Sequence, residues 1–375
     1  MKQYSVSVIG NRAYPHSFVG TSGIEVYCES ILKFFPKRSK ITVYVKSVYQ
    51  ALNTDKAGQD NIRIKQIQTF KSKVFESIIY GFLASILTMF DGSTVVWYHG
   101  VGQALFSFLP RFCGKKIVLT VHGEDWKRKK WSRIQKLLFK SLASFVFFIP
   151  PHKIFVVSKN LQKTILLEFG AFSTVAYPGI FFFDTKNKVK MTDPPSILKK
   201  INLRKDAYIL YIGRIVPEKR LELLIISFQK LVKKYPQYNL VIAGGHGNTQ
   251  EYNNTLIQSI KTKKIIFSGY IFGKDKIDLI SNSKVLVLPS EIEGNPISVL
   301  EALSLNKQVL IANQCLDDSF KGLQGIHTFS DQDSFYLNLE KVMKNDSIRV
   351  TLPEFINKSY SWKKSALLYL RAIIR

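Results

Sequence analysis

The sequence predicts an α/β protein of two doubly wound, Rossmann-like sheets that face each other across a cleft. Three observations point there. Short, continuous apolar runs alternate with longer helical stretches throughout the chain. Runs of that kind suit strands buried on both faces of a parallel sheet, and the helices between them suit right-handed βαβ crossovers. The runs fall into two series separated by a poorer stretch, and 375 residues are too many for one ordinary core.

In the first series the expected strands are 4–9, 41–45, 62–67, 94–98, 116–121 and 153–157. In the second they are 207–212, 238–243, 264–267, 284–288 and 308–311. The domains expected are 1–183 and 207–360, joined by a linker at 184–206 that holds Asp193-Pro194-Pro195 and no strong period. Residues 361–375 read as an amphipathic helix and a candidate for crossing back onto the first domain. Ligands of open α/β sheets bind at the carboxyl ends of the strands, so the chemistry is sought there.

Composition narrows the classes. Hydrophobic residues make up 46% of the chain, with 27 Phe and 17 Tyr, which excludes a disordered or fibrous chain. Lys and Arg number 54 against 27 Asp and Glu, a formal charge of +27. That excess points to an anionic partner: a phosphorylated substrate, a membrane surface or nucleic acid. Cys28, Cys113 and Cys315 are far apart with no CxxC pair, so a reducing compartment is expected. The start of the chain has no signal-peptide core. The longest charge-free apolar run, Ser77 to Phe90, is shorter than the ~20 residues that span a bilayer. The expectation is a cytoplasmic protein, soluble or at the membrane surface.

The second half holds the more informative residues. A strand runs into Gly213-Arg214, followed by Pro217-Glu218-Lys219-Arg220 and a helix. Arg214 offers a forked pair of N–H donors and Lys219 a compact charge, a pairing that suits a diphosphate. A solvated basic turn reads the same way. Gly244-Gly245-His246-Gly247 ends another strand and permits close backbone approach, but it is neither GxGxxG nor a P-loop. A third strand stops at Pro289; the loop after it carries Glu293 and Gly294. Pro296 fits the first turn of a helix, where its missing N–H costs nothing. Glu301 falls on the apolar side of that helix with Ile297 and Leu300. A carboxylate there is costly to bury unless something donates to it, and a ribose diol brings two donors. Free N–H groups at Asn295–Ser298 favour phosphate. The bland alternative is a Glu301 that reaches solvent and a Glu293 that is an ordinary loop acid.

Glu293-Gly-Asn-Pro-Ile-Ser-Val-Leu-Glu301 resembles the E-x7-E motif of retaining family 4 glycosyltransferases of the GT-B fold. Gly213-Arg214 through Pro217-Glu218-Lys219 resembles the donor-phosphate motif of the same family, and the resemblance covers the whole second domain. It implies that Arg214 and Lys219 neutralise a donor diphosphate, that Glu301 holds the ribose hydroxyls and that Glu293 sits by the transferred sugar. The turn at Gly245 and the segment Gly294, Asn295, Pro296 and Ile297 would complete the donor pocket. Arg220 is a departure, since Gly is common after the Lys. The resemblance implies a nucleotide-sugar co-substrate, and with no DxD cluster at a strand end no metal or other cofactor is expected.

In the first half, Gly10 to Glu25 is a long turn after the first strand. Gly23 and the helix N-terminus behind it are placed to meet a phosphate. The family shows Gly-Gly-x-Glu here; this chain reads Ser22-Gly23-Ile24-Glu25, similar to bacterial rhamnosyltransferase-like members. The family places a His near sugar and acceptor at the strand end occupied by His122; the alternative is a structural hydrogen bond. His99 ends the preceding strand and is also expected to face the cleft. His16, in the first loop, reads as a general base of inverting enzymes, whereas the paired Glu motif belongs to retaining ones.

From Trp126 to Phe145 the chain reads as a basic amphipathic helix. Lys129, Arg133, Lys136 and Lys140 share one face, with Trp131, Ile134, Leu138, Leu142 and Phe145 opposite. It suits either an anionic lipid surface or a core-packed helix with a solvated basic side.

The expectation is a retaining, nucleotide-sugar-dependent glycosyltransferase. Its acceptor is a saccharide or lipid-linked saccharide, in surface polysaccharide, lipopolysaccharide or glycolipid biosynthesis. The alternatives are a nucleotide-sugar epimerase of the same fold and a basic nucleic-acid-binding protein. Nucleic acid is not the expected partner, because the main basic run opposes an apolar helix face instead of interleaving with stacking aromatics.

Overall fold

The computed structural model describes residues 4–15, 23–49, 60–69, 75–128, 131–180, 195–245, 250–346 and 348–374. The chain divides into two units, 1–179 with 360–375, and 180–359. Residues 184–194 of the expected linker lie outside the described residues.

The first unit runs β1 (Ser5–Ile9), α1 (Gly23–Leu32), β2 (Lys40–Lys46), β3 (Ile62–Ile67), α2 (Phe75–Phe90), β4 (Val95–His99), α3 (Phe108–Phe112), β5 (Lys116–Val121), α4 (Arg133–Phe148), β6 (Lys153–Val156), α5 (Lys159–Phe169) and β7 (Thr174–Val175). The second runs α6 (Ser196–Lys200), β8 (Tyr208–Ile212), α7 (Leu221–Leu231), β9 (Asn239–Ala243), α8 (Gln250–Gln258), β10 (Ile265–Gly269), α9 (Gly273–Ser281), β11 (Val285–Leu288), α10 (Ile297–Ser304), β12 (Gln308–Ala312), β13 (Ile326–Phe329), α11 (Gln332–Lys344) and α12 (Glu354–Ser359). The last helix, α13 (Trp362–Ile374), belongs to the first unit.

Both sheets are parallel, with orders β3-β2-β1-β4-β5-β6-β7 and β10-β9-β8-β11-β12-β13. Every residue of β4, β11 and β12 is buried, which is why these segments read as unbroken apolar runs. The order reverses between β1 and β4 in one sheet and between β8 and β11 in the other. Crevices outside the carboxyl ends of strands at such reversals are where open α/β sheets bind ligands. All eleven expected strands are present. Two edge strands, β7 and β13, were not anticipated; β7 has only two residues, and β13 has His327 and Thr328 between its two apolar residues.

Helix α13 is held by a chain of buried hydroxyls. Trp97 Nε1 donates to Thr120 Oγ1 at 2.8 Å, which lies 2.8 Å from the Tyr369 hydroxyl; that hydroxyl lies 3.1 Å from Tyr27 OH, which donates to the Ala176 carbonyl at 2.8 Å. Because the first donor is an indole and the last acceptor a carbonyl, every proton in the chain is directed: Thr120 donates to Tyr369, and Tyr369 to Tyr27. Tyr369 and Tyr27 are each at most 1% exposed.

The basic helix is shorter than its sequence suggests. Asp125–Lys127 form a separate 3-10 turn, and α4 starts at Arg133, where Ser132 and Gln135 form a reciprocal capping box. Lys129 lies outside the described residues.

Candidate active site

The second unit brings the cations and carboxylates together at the sheet reversal. β8 ends at Gly213, and Arg214 follows in a turn pinned by Tyr211, whose hydroxyl donates to the Arg214 carbonyl at 2.7 Å. Burial, and then the nearby Glu293 carboxylate, raise the Tyr211 phenol well above its usual range. Pro217–Lys219 make a 3-10 turn, and Arg220 takes a left-handed backbone, φ +50°, ahead of α7. That conformation explains why Gly is common at this position in the family and marks a local strain of roughly 1–2 kcal/mol for a side chain. The Tyr252 hydroxyl accepts from Leu221 N at 3.1 Å and so caps α7.

Each cation meets a carboxylate. Lys219 Nζ is ion-paired with Glu293, and both side chains are largely buried. Arg214 lies 3.9 Å from Glu218, Arg220 3.8 Å from Glu291, and Lys276 of α9 2.7 Å from Glu301. Four cations thus face four acids, and the formal charges cancel. The affinity of such a site for an anion rests on directed donors more than on net field.

Helix α10 supplies some of those donors. Pro296 is its N-cap, not its first-turn residue: its carbonyl accepts from Val299 N at 3.1 Å and Leu300 N at 3.2 Å. Pro296 has no side-chain oxygen with which to cap α10. The first-turn amides at Ile297 and Ser298 follow the half-buried loop of Gly294 and Asn295, and the N-terminal end of a helix is where an anion is favoured. Glu301, one turn further in, does not reach out to solvent. One carboxylate oxygen is held by Lys276, and the other, Oε2, is buried without a partner. An orphaned buried carboxylate oxygen is costly, and it fits a ligand hydroxyl that donates. Lys276 has no motif in the sequence around it; only the packing of α9 on α10 reveals it.

The glycines behave differently from one another. Gly244 takes φ +145°, and a Cβ there would lie 1.8 Å from the Gly213 carbonyl oxygen, so this glycine lets the ends of β8 and β9 converge. A Cβ on Gly245 would strike the Tyr270 ring at 2.0 Å. Gly245 therefore seats Tyr270, and its carbonyl accepts from Ile215 N at 3.0 Å.

In the first unit, Gly10 and the ends of β4 and β5 converge. A Cβ on Gly10 would lie 2.4 Å from the His99 carbonyl oxygen. His99 does not face outward as expected: it is fully buried, and its Nδ1 lies 2.9 Å from His122 Nε2. His122 is the half-buried, reachable member of the pair. Burial drives both imidazoles toward the neutral form, His99 well below its usual range and His122 down to about 3. Gly23 is exposed at the start of α1, and Glu25 behind it is buried, accepting from Arg12 N at 2.9 Å. His16, Ser22, His246 and Gly247 lie outside the described residues.

The histidine pair carries a pH prediction. Between about pH 6.5 and about pH 3, the unfolded chain binds protons on these imidazoles that the folded chain refuses. Stability then rises with pH across that window and levels off above it. Urea midpoints measured from about pH 7 down to about pH 5 are expected to fall more steeply for the wild type than for His122→Asn. Equal slopes would mean that His122 is protonated in the fold.

The match to known proteins follows the geometry. Residues 195–352 match the family model for glycosyl transferases group 1. That stretch, less than half of the chain, is similar to the group 1 glycosyl transferases. An uncharacterized glycosyltransferase of Methanocaldococcus jannaschii is 28% identical over 203 residues, 52% of this chain and 47% of that protein. The chain spans about half the length of the first curated relatives it matches. The crystal structure of Anabaena Alr3699/HepE in complex with UDP and glucose aligns over 99% of this chain and 96% of its own, with a TM-score of 0.71 and 13% identity. Sucrose-phosphate synthase (tll1590) from Thermosynechococcus elongatus aligns over 98% of both chains, with a TM-score of 0.75 and 14% identity. At such identities the likeness is one of fold, and it meets the GT-B expectation. The matched stretch contains Arg214, Lys219, Glu293 and Glu301, as well as the missed Lys276.

Proposed function

We propose that the chain is a retaining glycosyltransferase that takes its sugar from a nucleotide-sugar donor bound on the second unit. One observation carries this reading: Glu301 keeps a buried, unpartnered carboxylate oxygen on α10, the helix that follows the loop of Glu293, which pairs with Lys219. A ribose hydroxyl would donate to Glu301 while the diphosphate took the amides of α10, Lys219 and Arg214. The printed title of the Anabaena neighbour, a complex with UDP and glucose, supports the donor class.

The ion pairs give the binding step its chemistry. Lys219 turns from Glu293 toward the arriving diphosphate, and Glu293 is released to accept from sugar hydroxyls. As the glycosidic phosphate bond breaks, Lys219, Arg214 and the α10 amides stabilise the departing nucleoside diphosphate with donors already in place. These fixed cations do the work for which other transferases use a metal, so we propose no metal requirement. His122, held neutral, offers a hydrogen bond to sugar or acceptor. Retention follows from front-face attack, with the leaving phosphate taking the acceptor proton, or from a covalent intermediate. The acceptor is a saccharide or a lipid-linked saccharide at the cytoplasmic face of an anionic membrane, as in surface polysaccharide assembly.

The test is a melting-temperature screen of UDP-, GDP- and dTDP-sugars, since a ligand that binds only the folded state raises its midpoint. One nucleotide class is expected to raise it, and Glu301→Ala to abolish that rise. No shift from any of them, with tight RNA binding at physiological salt, would replace this reading with nucleic-acid binding. Product analysis by NMR is expected to show the donor's anomeric configuration kept.

A further inference from the structure

Helix α4 packs inward with its less apolar side. Ala143, Val146 and Phe147 are buried, whereas Ile134 and Phe148 are 81% and 83% exposed, and Leu137 is exposed as well. At roughly 100° per residue the exposed apolar residues form one stripe opposite the buried ones. This departs from the core-packed alternative of the sequence, because the apolar stripe itself faces outward.

The stripe continues beyond α4. Phe90 at the end of α2 is 81% exposed and Phe112 at the end of α3 is 79% exposed. Ring contacts tie the three helices together: Phe82 to Phe106 at 5.1 Å, Phe106 to Phe108 at 6.4 Å, and Phe108 to Phe112 and Phe145 at 6.2 and 6.0 Å. Large exposed apolar patches mark surfaces that meet something. No helix among the described residues is long and apolar enough to cross a membrane.

The rim selects the occupant. Residues 133–148 hold three cations, Arg133, Lys136 and Lys140, and no acid. Arg133 and Lys140 are exposed on the flank of the stripe, and Lys140 also lies 3.5 Å from Glu168 of α5, which Lys127 pairs with at 2.6 Å, so the acid there is already outnumbered by cations. A second copy of a chain with formal charge +27 would bring the same cations against these. An anionic bilayer answers both features, with headgroups at the cations and acyl chains at the aromatic rings.

We infer that the outward face of α2, α3 and α4 is a monotopic docking surface for anionic phospholipid, into which Phe90, Phe112, Ile134 and Phe148 insert. The inference rests on the proposed acceptor class for its purpose, since a lipid-linked acceptor would be met at that surface. The docking itself needs neither donor nor acceptor.

The experiment is co-sedimentation of the full chain with phosphatidylcholine vesicles, with and without phosphatidylglycerol, beside transfer measured in solution with a soluble acceptor. The wild type is expected to partition onto the anionic vesicles. The quadruple variant Phe90→Ser, Phe112→Ser, Ile134→Ser, Phe148→Ser is expected to lose at least about ten-fold in partitioning, with soluble transfer unchanged. Arg133→Gln with Lys140→Gln is expected to weaken partitioning and flatten its salt dependence. A Phe148→Trp variant is expected to be quenched by brominated lipid. Equal partitioning of the quadruple variant and the wild type, or none by the wild type, would overturn the inference. So would light scattering that shows a dimer broken by the quadruple variant while vesicles remain unbound. If the wild type docks while transfer is absent, the surface stands and the proposed reaction falls.

Discussion

Replacing Arg214 and Lys219 together by alanine is expected to lower kcat/KM for sugar transfer by about 10⁴-fold. Removing one fixed donor from a developing oxyanion costs on the order of 10²–10³, and two donors on one leaving group act less than additively. The structure adds a second consequence. Lys219 is the partner of the largely buried Glu293, so Lys219→Ala also strands a carboxylate. A stranded buried acid binds a proton more readily than a paired one, and residual activity of Lys219→Ala is expected to gain a new pH dependence. Rates across pH on the single and double variants, with midpoints confirming the fold, check both statements. A double variant that retains wild-type kcat/KM would remove Arg214 and Lys219 from the reaction.

The largest effect on stability is expected from Tyr369→Ala in α13. The ring is fully buried, 4.6 Å from Trp97 and 4.1 Å from Phe155 between centroids. Truncating a buried aromatic costs about 3–5 kcal/mol. Tyr369→Phe keeps the ring but leaves Thr120 without its acceptor and Tyr27 without its donor, a loss of about 1–3 kcal/mol. Urea unfolding of the three proteins is expected to rank them wild type, Tyr369→Phe, Tyr369→Ala. An unchanged midpoint for Tyr369→Ala would mean that α13 adds nothing to the first unit.

Much of the fold was legible because parallel strands buried on both faces leave continuous apolar runs; β4, β11 and β12 are such strands. β7 and β13 were missed because they are short and leave no such run: β7 has two residues, and β13 carries His327 and Thr328 between its two apolar residues. The boundaries of α4 were misjudged because the basic run from Lys127 extends the apparent helix past its true cap at Ser132. In the site, residues on one continuous segment could be read from spacing. Lys276 could not, since it reaches Glu301 from another helix. The burial of His99 was hidden too, because the ends of β4 and β5 differ in depth only once the sheet is formed.

The most direct test is a crystal structure with a bound nucleoside diphosphate. The phosphates are expected against Lys219, Arg214 and the first amides of α10, with a ribose hydroxyl on the unpartnered oxygen of Glu301. A nucleotide bound elsewhere, with Lys219 still paired to Glu293 and Glu301 untouched, would contradict the donor site described above.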